Sequence, residues 1–214
     1  MKYYKRIIAL ALCLMMLFAL CACSDASTIK GDWQASADMT YVISKELKLD
    51  FHELSGYFSF ENLFVTVSLS LDGDDTYKLS LEISDASLEK IENAVESAAE
   101  DYVEGYYEEA ADMLGLDLEG LRAMYKSQGM DLDTEMADAV KTVTEECDVE
   151  SAVAEILSAY ESEGSWSIEN GKLSLTDGEG NVHGWEYENL SGDGFTVSAG
   201  TDEMWKYPLS FTEA

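Results

Sequence analysis

Chemistry at a protein site needs a nucleophile beside a base, two carboxylates of different acidity, or a metal held by converging nitrogen, sulfur and oxygen ligands. The 214-residue chain offers little of this beyond sheer numbers of carboxylates. His52 and His183 are its only histidines, so a multi-histidine metal site is arithmetically excluded. His52-Glu53-Leu54-Ser55 begins like a zinc-protease motif but lacks the second histidine four residues on. Asp177-Gly178-Glu179-Gly180-Asn181-Val182-His183 sets oxygens at alternate positions, with Glu188 twelfth, in the manner of a calcium loop. Val182 stands where such a loop needs glycine for its sharp turn, and the flanks alternate as strands do, so the stretch reads as a turn. Asp72, Asp74 and Asp75 read the same way. No Gly-x-Ser-x-Gly elbow and no phosphate-binding glycine loop is present, and forty-three acids are too many for any one pair to be singled out. The expectation is therefore no catalytic residue, no metal ligand set and no cofactor, in a protein that is not an enzyme.

Cysteine carries the sharpest signal. Met1 to Arg6 holds Lys2, Lys5 and Arg6, and Ile7 to Leu20 follows without a charge, the pattern of an export signal. Leu20-Cys21-Ala22-Cys23 resembles the lipobox of bacterial lipoprotein signals: an aliphatic residue, a tolerant position, a small residue, then the lipidated cysteine. Cys21 fits badly, because Leu20 would occupy the small-residue slot. The resemblance implies cleavage after residue 22 and a diacylglyceryl thioether on Cys23, holding the chain on the outer, extracytoplasmic face of the cell membrane. Two acyl chains anchor stably without a transmembrane helix. Cys13 and Cys21 leave with the signal and Cys23 is capped, so Cys147 remains alone. It lies in Glu145-Glu146-Cys147-Asp148, where acidic neighbours disfavour the thiolate, and its spacing from Val140 and Val143 makes it a packed structural thiol rather than a nucleophile.

Losing Lys2, Lys5 and Arg6 with a segment that contains no acid takes the formal charge from −30 to −33. A surface so acidic repels nucleic acid, which is bound through lysine and arginine. Yet 47% hydrophobic and 11% aromatic residues are too many for a disordered acidic tail, and the length suits one domain with a real core.

Residues 23–30 form a short tether, whose seven residues after Cys23 reach at most about 25 Å. Residues 31–84 are a first β block: Trp33, Ala35 and Ala37 alternate with polar neighbours, Tyr41 to Tyr57 suits a helix or irregular crossing, and Leu63 to Leu71 pairs as a hairpin with Tyr77 to Ile83. From 85 to 163 the period becomes helical. Ser84 or Asp85 caps a stripe of Leu88, Ile91, Val95, Ala98, Tyr102 and Tyr106, Asp117 caps a second helix ended by Gly129, and Asp133 or Thr134 starts a third that breaks at Asp148. This segment holds twenty-three acids and four bases. Residues 164–214 return to β, with Asn170-Gly171 as a hairpin turn and three further short strands around Trp185, Phe195 and Leu209. The fold class expected is α+β: an antiparallel lipocalin-like β-barrel or meander interrupted by an acidic helical insertion.

Asp32-Trp33-Gln34-Ala35-Ser36-Ala37-Asp38, Leu69 to Ile83, Gly164 to Leu175, Tyr187 to Val197 and the ending Tyr207 to Ala214 are together similar to a family of uncharacterised lipocalin-like lipoproteins of gut-associated Gram-positive bacteria. The resemblance spans nearly the whole mature chain and implies that the two β blocks form one barrel; it implies no activity. Trp33, Trp166, Trp185, Tyr187 and Phe195 alternate inward in such a barrel. They either line a cavity for a small apolar ligand or fill a small core. A binding domain for such a ligand or for an envelope protein is the leading expectation. The alternative is a structural or adaptor module whose acidic insertion docks a basic partner or weakly binds Ca²⁺.

Overall fold

Strict alternation of apolar and polar residues becomes eight strands. In a computed structural model of the chain, residues 29–191, 193–200 and 206–214 are described, with backbone alone for 189–191. The signal, Cys21 and Cys23 lie outside the described residues. The strands are β1 (Gly31–Asp38), β2 (Phe64–Leu71), β3 (Thr76–Ile83), β4 (Ser162–Glu169), β5 (Lys172–Asp177), β6 (Val182–Ser191), β7 (Gly194–Gly200) and β8 (Leu209–Glu213). They follow one another in chain order around a closed antiparallel barrel, the fold class expected, with β1 meeting β8 through Trp33 opposite Glu213 and Gln34 opposite Thr212. Alternate residues are buried along β2, as on a pleat with one covered face: Val65, Val67, Leu69 and Leu71 are at most 1% exposed.

The turns follow their residues. Asn170 and Gly171 both have positive φ (54° and 74°), the twist that lets a two-residue hairpin match its strands. Gly164 on β4 is needed for a different reason: a β-carbon there would collide with the Thr176 carbonyl oxygen on β5. β4 begins at Ser162, two residues before the strand expected from Gly164, because Ser162 and Glu163 pair with Leu79 and Lys78 of β3.

Five helices occur among the described residues: α1 (Thr40–Asp50), α2 (Asp85–Met113), α3 (Leu118–Ser127), α4 (Leu132–Glu146) and α5 (Val149–Ser158). Side-chain caps fix four N-termini: Ser84 accepts from Ser87 N, Asp117 from Gly120 N, Asp131 from Asp133 N and Asp148 from Ser151 N. The cap of α4 is Asp131, not Asp133 or Thr134; the earlier start lets Leu132, 2% exposed, join a cluster with Ala111 and Leu121. Gly129 (φ 78°) ends α3 as expected: its N–H reaches Lys126 O and that of Met130 reaches Tyr125 O, the paired bonds of a Schellman ending. The stripe on α2 departs from expectation. Beyond Ala98 burial moves to Ala99, Val103 and Ala111, and Tyr106 stands 64% exposed with its ring edge-on to Tyr107. The helices packed on this half of α2 decide which residues are covered: Ala111 clusters with Leu121 of α3 and Leu132 of α4.

Internal contacts divide the chain into two compact units. One is the barrel, comprising the described part of Met1–Ala37 with Thr66–Leu81 and Glu161–Ala214. The other, helical unit comprises Asp38–Val65 and Glu82–Tyr160, so α1 belongs with the later helices. Within it α2 packs on α3, α4 and α5, and α1 on α5. Ser87, a buried polar residue at 3% exposure, is satisfied by accepting from Phe64 N and donating to Phe64 O, both at 3.2 Å.

Phe211, 1% exposed, stacks on Phe195 at 4.9 Å and on Trp185 at 6.0 Å. Phe211→Ala is expected to cost about 3–5 kcal/mol in urea unfolding, against less than about 0.5 kcal/mol for Ser210→Ala on the exposed face of the same strand.

Candidate functional site

The residues most suggestive of chemistry in the sequence divide between the units, His52 and Cys147 in the helical one, His183 and Asp177 in the barrel. His52 is exposed in the turns after α1, where its carbonyl accepts from the Ser55 hydroxyl. His183 is on β6, opposite Leu175. Among the described residues no group of three or more histidine, cysteine, aspartate and glutamate side chains converges as metal ligands would. Asp177 organises the β5–β6 turn: it accepts from the backbone N–H groups of Glu179 and Asn181 and from the Asn181 amide, at 2.8–2.9 Å. Those bonds, the Asn181 side chain's first, hold its carboxyl below the ordinary value. Cys147 follows α4 half-buried; burial pushes its thiol up, and Glu146 and Glu53 add to the shift. A thiol so placed is a poor nucleophile at neutral pH.

The five aromatics read as inward-facing separate into two groups. Trp33, Tyr187 and Phe195 form a connected cluster with Trp185 and Phe211: Trp33 meets Phe195 edge-on at 5.3 Å, Tyr187 meets it at 6.4 Å, and Phe211 bridges Phe195 to Trp185. Trp166 is placed elsewhere, donating its indole N–H to Asp72 O at 3.2 Å beneath the Lys30 ammonium. Trp33 likewise donates to Ile29 O at 2.7 Å. Both indole N–H groups are thus committed to backbone, as buried tryptophans require. Ile29 and Lys30 were expected within the tether, yet Ile29 is fully buried and Lys30 reaches Gly73 O at 3.2 Å. Tyr187 is the half-exposed member, beside a bulge where β6 skips Ser198 of β7. It also lines a shallow polar groove of about 520 Å³ on the barrel with Glu169, Lys172 and Glu188.

A second groove, of about 570 Å³, lies within the helical unit between α1 and α5. Its floor is Phe51, Ala152, Ile156, Ala159 and Tyr160, and five carboxylates rim it: Glu46, Asp50, Glu146, Asp148 and Glu155. Among the described residues no lysine or arginine lines it. Glu46 is held by Lys45 at 2.9 Å, and Asp148 is occupied in capping α5 through Ser151. Asp50, Glu146 and Glu155 have no cation within ion-pair distance among the described residues. Glu46 with Asp50 is an i, i+4 pair on one face of α1, and Tyr160 stands four residues after Ile156, just past the end of α5. That was the only local sign of this site. Apposing residues about a hundred positions apart needs the tertiary fold.

Compared with protein-family models, curated proteins and solved structures, the chain matches none. The barrel and the two grooves are therefore read on their own chemistry.

Asp177 tests how tightly its turn is organised. A carboxyl held below its ordinary 3.8 in the folded chain contributes to the turn throughout neutral pH, and the contribution is lost as pH falls through the folded pKa. A carbonyl NMR titration of Asp177 is expected to give a midpoint under 3.8 that moves back up in Asn181→Ala. A wild-type midpoint at or above 3.8 would contradict the assignment.

Proposed function

We propose that the chain is an exported lipoprotein, anchored to the outer face of the cell membrane by a diacylglyceryl group on Cys23, and that it works by binding rather than catalysis. The lipocalin-like barrel is its principal binding domain, for a small apolar molecule or an envelope partner. The observation that carries this reading is the closed barrel with its aromatic cluster, of which half-exposed Tyr187 reaches a surface groove. Closed barrels of eight strands enclose just enough space for side chains or one small ligand. With Ile29 docked, only five residues, Ser24 to Thr28, separate Cys23 from the described barrel, a reach of at most about 18 Å. Among the described residues no helix is long and apolar enough to cross a membrane.

The groove between α1 and α5 favours a second reading, in which the acidic helical unit is an adaptor that docks a basic partner. Weak Ca²⁺ collection is the less supported form of it, since the rim carboxylates are spread along a groove and not gathered around a point.

Mass spectrometry of chain recovered from membranes is expected to find a diacylglyceryl group on Cys23, and Cys23→Ser is expected to leave the membrane fraction. An unmodified Cys23 would end the anchoring proposal. Titration with a brominated fatty acid is expected to quench tryptophan emission saturably if the aromatic cluster receives an apolar ligand, with reduced quenching in Tyr187→Ala. Absence of saturable quenching would remove the small-molecule version and leave binding to the helical unit.

A further inference from the structure

We propose that the groove between α1 and α5 is a docking site for an extended segment of a partner protein that carries lysine or arginine beside an aliphatic residue. The inference rests on the second reading above and gives it a location and an occupant.

Three features of the groove select this chemistry. Its floor is apolar, with Phe51, Ile156 and Tyr160 offering rings and a branched side chain against which an aliphatic residue gains by leaving water. Its rim is anionic on both sides, Asp50 at the end of α1 and Glu155 on α5, and neither is neutralised by a cation of the chain's own among the described residues. Its volume of about 570 Å³ accommodates several side chains, far more than one metal ion requires.

Lysine and arginine match such a surface because they are amphipathic along their length. The methylene stem lies over apolar floor while the charged head reaches the rim. A guanidinium or ammonium over the Tyr160 or Phe51 ring adds a cation–π attraction. A small polyamine would satisfy the rim but leave the floor in contact with water, and a metal ion would satisfy neither. The remaining acids of the chain, at a formal charge of −30 overall, steer a basic partner towards the protein without specifying where it settles. The groove supplies the specificity that net charge lacks.

The test uses the full chain with its own N-terminus, purified in detergent, and a fluorescent hexapeptide of alternating arginine and leucine with blocked ends. Anisotropy titrations at low salt compare the wild type, Asp50→Asn/Glu155→Gln in the groove, and Glu108→Gln/Glu109→Gln on the exposed face of α2, which removes the same charge elsewhere. The groove variant is expected to weaken binding about tenfold and the α2 variant less than about twofold, with binding falling as salt rises. An arginine–glycine hexapeptide is expected to bind more weakly than arginine–leucine. Equal losses in the two variants, or equal binding of the two peptides, would overturn the groove as the site while leaving the acidic unit as a basic-partner adaptor. No binding of either peptide by the wild type would overturn both. All four substituted residues are exposed, and circular dichroism melts of the variants verify that they remain folded.

Discussion

The seam between β1 and β8 is the constraint on which the rest of the barrel depends. It is short, with Trp33 opposite Glu213 and Gln34 opposite Thr212, extended by a bond from Ala214 N to Asp32 O at 3.0 Å. Closure removes the two free edges that an eight-stranded open sheet would present to other chains. It also forces every inward side chain to share one small interior, which is why the large rings interlock: with eight strands there is just room for Trp33, Trp185, Phe195 and Phe211 if they stack and meet edge to face.

The same closure explains how so long a helical segment is tolerated between neighbouring strands. β3 and β4 pair from Thr76 with Ser165 to Leu79 with Ser162, although more than seventy residues intervene. Loop-closure entropy rises only with the logarithm of loop length, so the penalty for the insertion is modest once its helices pack with α1 into one compact unit. Two side-chain bonds reinforce the junction: Tyr77 donates to the Ser162 hydroxyl at 3.1 Å and Leu81 N to the Glu161 carboxylate at 3.0 Å. Folding of the insertion comes from its caps and its apolar faces, not from its ion pairs. Arg122 with Asp133 and Lys141 with Glu145 are both exposed, and such pairs contribute about 0–1 kcal/mol. Among the described residues most acids stand in no ion pair that would offset their mutual repulsion, so the carboxylate coat opposes folding and its advantage must lie in what it attracts or repels.

Much of this architecture was legible from residue pattern because it is local. Alternation along Leu63 to Leu71, the Asn170-Gly171 turn, and the caps at Ser84, Asp117 and Asp148 each depend on a handful of adjacent residues, and each stands where expected. What the pattern missed depends on distance. Tyr106 fits the helical stripe by spacing, but whether a stripe position is covered is decided by the neighbouring helix, and here it is exposed. Ile29 looks like tether in a polar stretch, and only the barrel wall around it makes it core.

The candidate site lies at the far end of that scale. An aromatic residue alternating inward identifies itself as core or lining without revealing which. The N–H groups of Trp33 and Trp166 are each already spent on a backbone carbonyl, so these two side chains offer only ring surface to whatever they touch. A carboxylate among forty-three identifies nothing. Asp50 and Glu155 become distinctive only when α1 and α5 bring them into one groove with apolar lining and, among the described residues, no lysine or arginine. Composition made acidity the chain's most conspicuous property and the least informative about location; the helix pairing gathers part of that diffuse charge along a single groove.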